Sequence, residues 1–141
     1  MPVEASPSRS ATAQGRERAL VVDDDDHVRV LVQRILATAF AAVDAAHNAA
    51  QGVAALQGQA YDVVVTDLTM PGASGLTVVR EARIRAPEAA VLVITGFADQ
   101  DDEAQIQQLG AELLRKPFGV GELLAAIARA QASARLSPAE G

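Results

Sequence analysis

The chain has 141 residues and a formal net charge of −6, a size that allows one ordinary domain with tails. Thirty residues are Ala, four are aromatic and none is Cys, which excludes disulfide frameworks, thiolate metal sites and cysteine nucleophiles. The acidic balance and scattered Arg residues disfavour direct nucleic-acid binding; no apolar run suits a membrane span or a signal peptide, so we expect a cytoplasmic protein.

The two ends of the chain are predicted to lie outside the folded unit. Residues 1–18 contain Pro, Ser, Thr and Gly but almost no large apolar side chain, so burial cannot offset the entropy of ordering them. They are predicted to be a disordered tail or linker. Residues 131–141, which end in Leu-Ser-Pro-Ala-Glu-Gly, are predicted to be a flexible tail in the same way. The folded domain is therefore expected over residues 19–130.

Within this domain, short apolar runs alternate with segments of helical period, which is typical of βα units around a parallel sheet. Strands are predicted at 19–22, near 41–43, and at 63–66, 91–94 and 113–114. The first helix is predicted from apolar residues at i, i+3, i+4, i+7 and i+8, beginning at Val28, and the last from the same spacing beginning at Val120. Further helices are predicted near 48–57, 75–85 and 99–109. Short right-handed crossovers between these elements give an α/β fold with a doubly wound, five-stranded parallel sheet.

Polar residues directly follow four of the predicted strands, where open parallel sheets bind their ligands. These residues are Asp23, Asp24, Asp67, Thr95 and Lys116. Three carboxylates in one place repel one another and call for a cation, and Mg²⁺ prefers carboxylate and phosphate oxygens. The cluster therefore predicts a magnesium site that admits a phosphoryl group, with the only lysine of the chain and a threonine hydroxyl on the phosphoryl oxygens.

The carboxylates also have a purely structural interpretation. Acidic residues at the start of a helix cap its free N–H groups and suit its dipole, and this explanation is favoured for Asp25 and Asp26. For Asp23 and Asp24, which lie closer to the strand end, the functional interpretation is favoured. Asp67 would otherwise be a turn residue, because Pro-Gly follows it shortly afterwards.

Two further observations argue against a histidine metal site and against a nucleotide-binding site. His27 and His47 lack partners at metal-ligand spacing, so both are expected to be surface residues. The chain has neither of the glycine-rich loops that bind nucleotide phosphates. Its phosphoryl donor must therefore be another molecule.

Four motifs, in order and near the usual spacing, resemble the receiver domain of bacterial two-component response regulators. They are Val21-Val22-Asp23-Asp24, Asp67-Leu68-Thr69-Met70-Pro71-Gly72 with Gly75, Ile94-Thr95-Gly96, and Lys116-Pro117-Phe118. The resemblance covers about residues 19–130. Leu-Thr-Met-Pro-Gly and Leu-Leu-Arg-Lys-Pro-Phe look most like receivers fused to sensor kinases. We expect the chain to be either a freestanding receiver or a piece of a larger protein, such as a hybrid histidine kinase.

The resemblance implies a flavodoxin-like (βα)5 fold with strand order 2-1-3-4-5. It implies that Asp67 takes a phosphoryl group from the phosphohistidine of a histidine kinase or phosphotransfer protein and signals to an unknown downstream protein. The residues implied to hold Mg²⁺ are Asp23, Asp24, Asp67 and, through its main-chain carbonyl, Thr69. Thr95 and Lys116 would contact the phosphoryl oxygens. Such a phosphoacceptor is not an enzyme in the usual sense, since it catalyses only its own phosphorylation and slow dephosphorylation.

The sequence departs from the family pattern at two places near Lys116. Many receivers have Tyr or Phe three residues before this lysine, whereas this chain has Leu113, which cannot report phosphorylation by ring rotation. The segment from Gly110 to Lys116 is one residue shorter than the common spacing, so either the strand is bulged or the turn before it is tightened. The resemblance also implies a cis peptide bond before Pro117.

Two alternative functions are weighed against this one. A pseudo-receiver would bind partners or dimerise independently of phosphorylation, and the intact set of Asp67, Thr95 and Lys116 argues against it. A phosphatase built on an Asp nucleophile would need a second carboxylate as general acid close after the first, and Thr69 occupies that position. We therefore favour a phosphoacceptor module of a phosphorelay.

Overall fold

The computed structural model describes residues 17–140, with side chains described as far as Ala134. The strands are β1 (Arg18–Val22), β2 (Ala42–Ala46), β3 (Val63–Asp67), β4 (Ala90–Thr95) and β5 (Glu112–Arg115). The helices are α1 (Asp26–Leu36), α2 (Ala49–Gly58), α3 (Gly75–Arg85), α4 (Gln100–Gln108) and α5 (Val120–Glu140). Every helix and strand predicted from the sequence is present, and β2 and α5 extend furthest beyond their predicted ends.

The five strands form one parallel sheet in the order β2-β1-β3-β4-β5, which confirms the expected topology. Helices α1 and α5 cover one face of the sheet, and α2, α3 and α4 cover the other. Strands β3 and β4 are buried along their whole length, and β1 is buried except at its first residue. Burial on both faces explains why these strands are continuous apolar runs in the sequence.

The strand register aligns the ends that carry the candidate residues. Val22 of β1 pairs with Thr66 of β3, and Asp67 pairs with Ile94 of β4. Thr95 pairs with Arg115 of β5, directly before Lys116. The polar residues that follow β1, β3, β4 and β5 are therefore delivered to one edge of the sheet.

Helix or strand extends beyond both predicted ends of the domain. Of the tail predicted over residues 1–18, all but the last two residues lie outside the described part of the chain, and Arg18 already belongs to β1. At the C-terminus, α5 continues beyond the predicted boundary at residue 130, and buried Ala134 packs on the same core as Leu123 and Ile127. Ala is small enough to let the helix lie against the sheet, so a weakly apolar segment is still part of the packed domain.

The shortened spacing before Lys116 is absorbed by a turn and not by a bulge. At the end of α4, Ala111 donates to the carbonyl of Ile106 at 3.0 Å and Gly110 donates to that of Gln107 at 2.9 Å. Gly110 has φ +73°, so these two bonds form a Schellman motif that ends the helix sharply. The pairing of β5 with β4 then runs without interruption.

Across the described residues, no helix has the length and apolar character needed to cross a lipid bilayer. The remaining features of the fold concern how the sheet edge presents its polar side chains.

Candidate functional site

Asp23 is completely buried at the end of β1. Its N–H donates to the carbonyl of Ala46 at 3.1 Å, and its Oδ1 accepts from the N–H of Asp25 at 2.9 Å. Its Oδ2 has no hydrogen-bond partner in the described part of the structure. Burial raises the pKa of Asp23 to about 6; the negative charge of Asp67 adds to the rise, whereas the Asp25 N–H and the Lys116 ammonium oppose it. An orphaned, buried carboxylate oxygen is expensive unless a ligand meets it.

Asp23 is one of three carboxylates that lie together. Asp23, Asp24 and Asp67 each offer an oxygen within 4.8 Å of the others. Asp23 and Asp67 are buried, whereas Asp24 is exposed, so the cluster opens to solvent on the Asp24 side. An all-oxygen donor set with no imidazole or thiolate fits Mg²⁺.

Lys116, the only lysine in the sequence, brings its ammonium group to this cluster. Its Nζ lies 3.3 Å from Oδ2 of Asp67 and 3.7 Å from Oδ2 of Asp23. The main-chain N–H of Lys116 donates to the carbonyl of Thr95 at 2.8 Å, which ties Lys116 to the neighbouring strand. The peptide bond between Lys116 and Pro117 is cis, as the family resemblance implies. One point charge thus lies between two buried carboxylates, within reach of any anion placed over Asp67.

Asp67 ends β3, and the main chain around it is packed tightly. The N–H of Leu68 donates to the carbonyl of Ile94 at 3.1 Å, and the N–H of Gly75 donates to that of Leu68 at 2.8 Å. A Cβ atom at Gly75 would lie 1.9 Å from the carbonyl oxygen of Asp67, so α3 can begin here only with glycine. Thr69 is exposed, and its N–H donates to Oδ1 of Asp67 at 3.3 Å. The role of its carbonyl as a metal ligand stays a prediction.

Thr95 is buried at the end of β4, and its hydroxyl is engaged with the main chain two residues further on. Its Oγ1 donates to the carbonyl of Phe97 at 2.8 Å and accepts from the N–H of Phe97 at 3.1 Å. The hydroxyl proton must therefore leave the Phe97 carbonyl before it can be donated to a ligand. The Phe97 side chain lies at the surface, and the residue is 71% exposed. Leu113 is half-buried and packs against the core beneath α4.

The remaining polar residues of the β1–α1 connection have structural roles. Oδ1 of Asp25 accepts from the N–H groups of Val28 and His27, at 3.2 and 2.9 Å, and these bonds lower the pKa of Asp25. Asp25 is therefore the N-cap of α1, in line with its structural interpretation. His27 and His47 are both exposed, as expected, and neither belongs to the carboxylate cluster.

The sequence interpretation missed Arg29. Its Nη1 donates to the main-chain carbonyl of Asp23 at 2.9 Å, and its Nη2 donates to Oδ1 of Asp26 at 2.6 Å. The available signal was the i, i+3 spacing of Asp26 and Arg29 on the first helix, which places oppositely charged side chains next to each other. Nothing in that spacing indicates the second bond, which reaches back to the strand end.

Comparison with known proteins agrees with this architecture. Residues 19–128 match the response regulator receiver domain family. The DNA-binding transcriptional regulator NtrC of Escherichia coli K12 is 35% identical over 78% of this chain, which corresponds to 24% of NtrC. The transcriptional regulatory protein FixJ of Azorhizobium caulinodans is 36% identical over 76% of this chain and 51% of FixJ. The chain therefore spans about a quarter of the first of these relatives and about half of the second.

Solved structures give the same result. A response regulator receiver domain protein from Clostridium thermocellum aligns with a TM-score of 0.74 and 31% identity, over 85% of this chain and 98% of that one. A response regulator from Burkholderia pseudomallei, solved with a phosphorylated aspartic acid and a calcium ion, aligns with a TM-score of 0.74 and 29% identity, over 88% of this chain and 72% of that one. From its strand order, the polar edge of its sheet and these matches, the chain belongs to the response regulator receiver domain family.

Proposed function

We propose that Asp67 is the phosphoacceptor of a two-component phosphorelay. Its phosphoryl group would come from the phosphohistidine of a histidine kinase or phosphotransfer protein, in the cytoplasm. The observation that carries this proposal is the convergence of Asp23, Asp24 and Lys116 on Asp67 at one edge of the sheet. Membership of the receiver family supports it.

The proposed reaction transfers one phosphoryl group from nitrogen to oxygen. A carboxylate oxygen of Asp67 forms the new O–P bond, while the P–N bond breaks and its electron pair returns to the imidazole nitrogen of the donor. Lys116 is placed to stabilise the phosphoryl oxygens, because its Nζ already lies 3.3 Å from Asp67. Thr95 would donate a hydrogen bond once its hydroxyl turns away from Phe97. Positioning and electrostatic stabilisation of this kind are the main protein contributions to phosphoryl transfer.

Mg²⁺ is the proposed cation, held by the carboxylates of Asp23, Asp24 and Asp67 and by the main-chain carbonyl of Thr69. The residues fit this ion because every ligand is an oxygen and because the buried Oδ2 of Asp23 otherwise lacks a hydrogen-bond partner. When bound, Mg²⁺ supplies positive charge that offsets both the cluster and the incoming phosphoryl oxygens. Lys116 contributes one charge against three carboxylates, so it cannot balance the cluster alone.

The test is incubation of the chain with acetyl phosphate and Mg²⁺, followed by intact-protein mass spectrometry. The mass should increase by one phosphoryl group, and Asp67→Asn should abolish the increase. Asp101→Asn is the matched control, since it removes an exposed carboxylate of α4 that is not part of the cluster, and it should leave the modification unchanged. A wild-type chain that stays unmodified by acetyl phosphate and by a phosphorylated histidine kinase would overturn the proposal and favour a phosphorylation-independent binding module.

A further inference from the structure

Four consecutive aspartates, Asp23 to Asp26, lead from the end of β1 into the first residue of α1, and the structure divides them into two pairs. Only Asp23 and Asp24 join Asp67 in the carboxylate cluster. Asp25 caps the helix, and Asp26 pairs with Arg29. Repulsion among four adjacent carboxylates does not by itself select this division, so other contacts must hold the connection in one conformation.

Arg29 makes the contact that spans the division. One of its nitrogens bonds the carboxylate of Asp26, the first residue of α1, and another bonds the carbonyl of Asp23, which follows β1. The Arg29 side chain is 18% exposed, whereas that of Asp26 is 80% exposed. The guanidinium is therefore mostly sheltered, and its bond to the carbonyl is not a solvated surface pair. A planar guanidinium can donate in two directions at once, which a single ammonium cannot reproduce with the same geometry.

The bond from Arg29 to the Asp23 carbonyl also orients the peptide group that follows Asp23. A carbonyl and the following N–H belong to one rigid peptide plane, so holding the Asp23 carbonyl also orients the peptide that leads to Asp24. The N–H of Asp23 is already bonded to Ala46. The main chain is thus held on both sides of Asp23, which restricts the conformations open to Asp24, the exposed residue that follows.

We infer that Arg29 is a positioning residue for the divalent cation site, because it fixes the peptide plane that aims Asp24 toward Asp23 and Asp67. This inference rests on the proposed function, since it takes the carboxylate cluster as the site of Mg²⁺. Groups that orient metal ligands without touching the metal change metal affinity by about 10- to 100-fold when they are removed. We expect an effect in this range for Arg29→Gln.

The direction of the change in Mg²⁺ affinity distinguishes a positioning role of Arg29 from a purely electrostatic one. If Arg29 acted only through its positive charge, its removal would relieve repulsion of the cation, and Mg²⁺ would bind more tightly. Loss of positioning has the opposite effect, because Asp24 no longer points steadily into the cluster. Arg29→Lys keeps the charge but cannot bond both acceptors with the geometry of the planar guanidinium, so it should also weaken Mg²⁺ binding, by less than Arg29→Gln.

The experiment measures Mg²⁺ affinity by isothermal titration calorimetry for the full chain and its Arg29→Gln, Arg29→Lys and Arg34→Gln variants. Arg34 lies on the same helix, exposed and in its last turn, so Arg34→Gln controls for the loss of one positive charge. Amide relaxation of the metal-free proteins supplies a second measurement, and Arg29→Gln should increase the mobility of the Asp24 amide without changing that of β3. Far-UV circular dichroism checks that each variant is folded.

Weaker binding by Arg29→Gln and Arg29→Lys, with Arg34→Gln unchanged, supports the inference. Tighter binding by Arg29→Gln, or affinities equal to wild type in both Arg29 variants, overturns it while leaving the phosphoacceptor proposal intact. If Arg29→Gln does not fold, the Arg29→Lys affinity and the Asp24 amide decide in the same way. A wild-type chain that does not bind Mg²⁺ overturns this inference and the proposed metal site together.

Discussion

The two sides of the polar sheet edge are built differently. On the acid side, formed by the ends of β1 and β3, Asp23 and Asp67 are buried and their main chain is bonded or packed on both sides. On the switch side, formed by β4, α4 and β5, Phe97 is exposed and α4 buries Ile106 alone among its residues. The carboxylate cluster is therefore held by closely packed main chain, whereas the neighbouring helix is attached by few apolar contacts and is cheap to move.

The switch side is nevertheless held at both ends of α4. A capping box of Asp99 and Asp102 closes its first turn. At its last turn, the guanidinium of Arg83 donates to the carbonyls of Leu109 and Gly110, at 2.6 and 3.1 Å. The capping box therefore protects the first turn of α4 from fraying, and the bonds from Arg83 tie the other end of α4 to α3.

The largest expected effect comes from a methyl group added on the acid side. Gly75→Ala places a Cβ atom 1.9 Å from the carbonyl oxygen of Asp67. Because both groups are attached to main chain, this clash can be relieved only if α3 moves away from the end of β3. We expect a loss of about 3 kcal/mol in the free energy of unfolding, at the upper end for overpacked sites. Chemical denaturation of the two proteins measures it.

The matched change on the switch side is Gly96→Ala. A Cβ at Gly96 would have no neighbour within 4 Å, so its unfolding free energy should stay within about 0.5 kcal/mol of wild type. Equal losses at the two glycines would show that the two sides are packed alike.

The second prediction concerns the pH dependence of the metal-free protein. The folded state raises the pKa of Asp23 to about 6, so it binds this proton more tightly than the unfolded chain does. The resulting contribution to stability is complete below the pKa of an unfolded aspartate and is lost as pH rises through about 6. Asp23→Asn keeps an acceptor for the Asp25 N–H but has no charge to bury. Without metal, Asp23→Asn should therefore be the more stable protein at pH 7, by up to about 3 kcal/mol, and the difference should shrink toward pH 4.

Denaturation of both proteins across this pH range checks the prediction. Carboxylates remote from the cluster cancel when one curve is subtracted from the other, so the difference reports Asp23 together with its coupling to Asp67 and Asp24. Mg²⁺ should reverse the order at pH 7, because it stabilises the folded wild type by binding to a site that the variant lacks. If the unfolding free energies of the two proteins changed in parallel with pH, the pKa of Asp23 would not be raised in the folded state.

The third prediction uses Lys116, which joins the two sides. Lys116→Met leaves Asp23 and Asp67 without a cation, and we expect the metal-free protein to lose about 1 to 2 kcal/mol, because the pair is only partly shielded from water. The same change should tighten Mg²⁺ binding, since an ammonium group no longer competes for Asp67. Phosphorylation by acetyl phosphate should nevertheless slow strongly.

Calorimetry and intact mass spectrometry measure these two properties separately. Lys116→Arg is the control for charge, because it keeps the positive charge but changes the shape of the donor. If Lys116→Met weakened Mg²⁺ binding, the lysine would be organising the cluster and not balancing it.

Much of the sheet and of the carboxylate cluster could be predicted from the sequence, because both follow from short stretches of residues. Buried parallel strands are continuous apolar runs, so β1, β3 and β4 were visible, and the residues that follow them had to meet at one edge. The cluster of Asp23, Asp24 and Asp67 required no further information. These are properties of chain order and side-chain type.

The features that were not predicted depend on side-chain conformations, main-chain conformations and packing, which the residue pattern does not specify. The bond from Arg29 to the Asp23 carbonyl depends on a side-chain conformation, and the direction of the Thr95 hydroxyl depends on one rotatable bond. The packed extension of α5 at Ala134 was hidden because Ala contributes little hydrophobic signal. The choice between a bulge and a tight turn before β5 was settled by the left-handed conformation of Gly110.

Among the substitutions that remove a polar group of the site, the smallest effect on stability is expected at Thr95, which lies between the two sides. Thr95→Val removes both hydrogen bonds to Phe97 but keeps the volume, so the unfolding free energy should fall by only about 1 kcal/mol. Its consequence for signalling should be larger than its effect on stability. In wild type, beryllofluoride with Mg²⁺ should shift the amide resonances of Phe97 and of the first turn of α4, because the hydroxyl leaves the Phe97 carbonyl.

In Thr95→Val these shifts should be largely lost, while those of Asp24 and Leu68 on the acid side should persist, because the ligand still binds there. Leu113→Phe is the matched control: it restores an aromatic ring beside α4 without touching the Thr95 hydroxyl, so the Phe97 shift should remain. If the Phe97 shift survived Thr95→Val but disappeared in Leu113→Phe, the change would reach α4 through the packing of β5 and not through the hydroxyl. The loosely packed side would then respond to side-chain volume beneath the helix, and Thr95 would serve only to bind the phosphoryl oxygens.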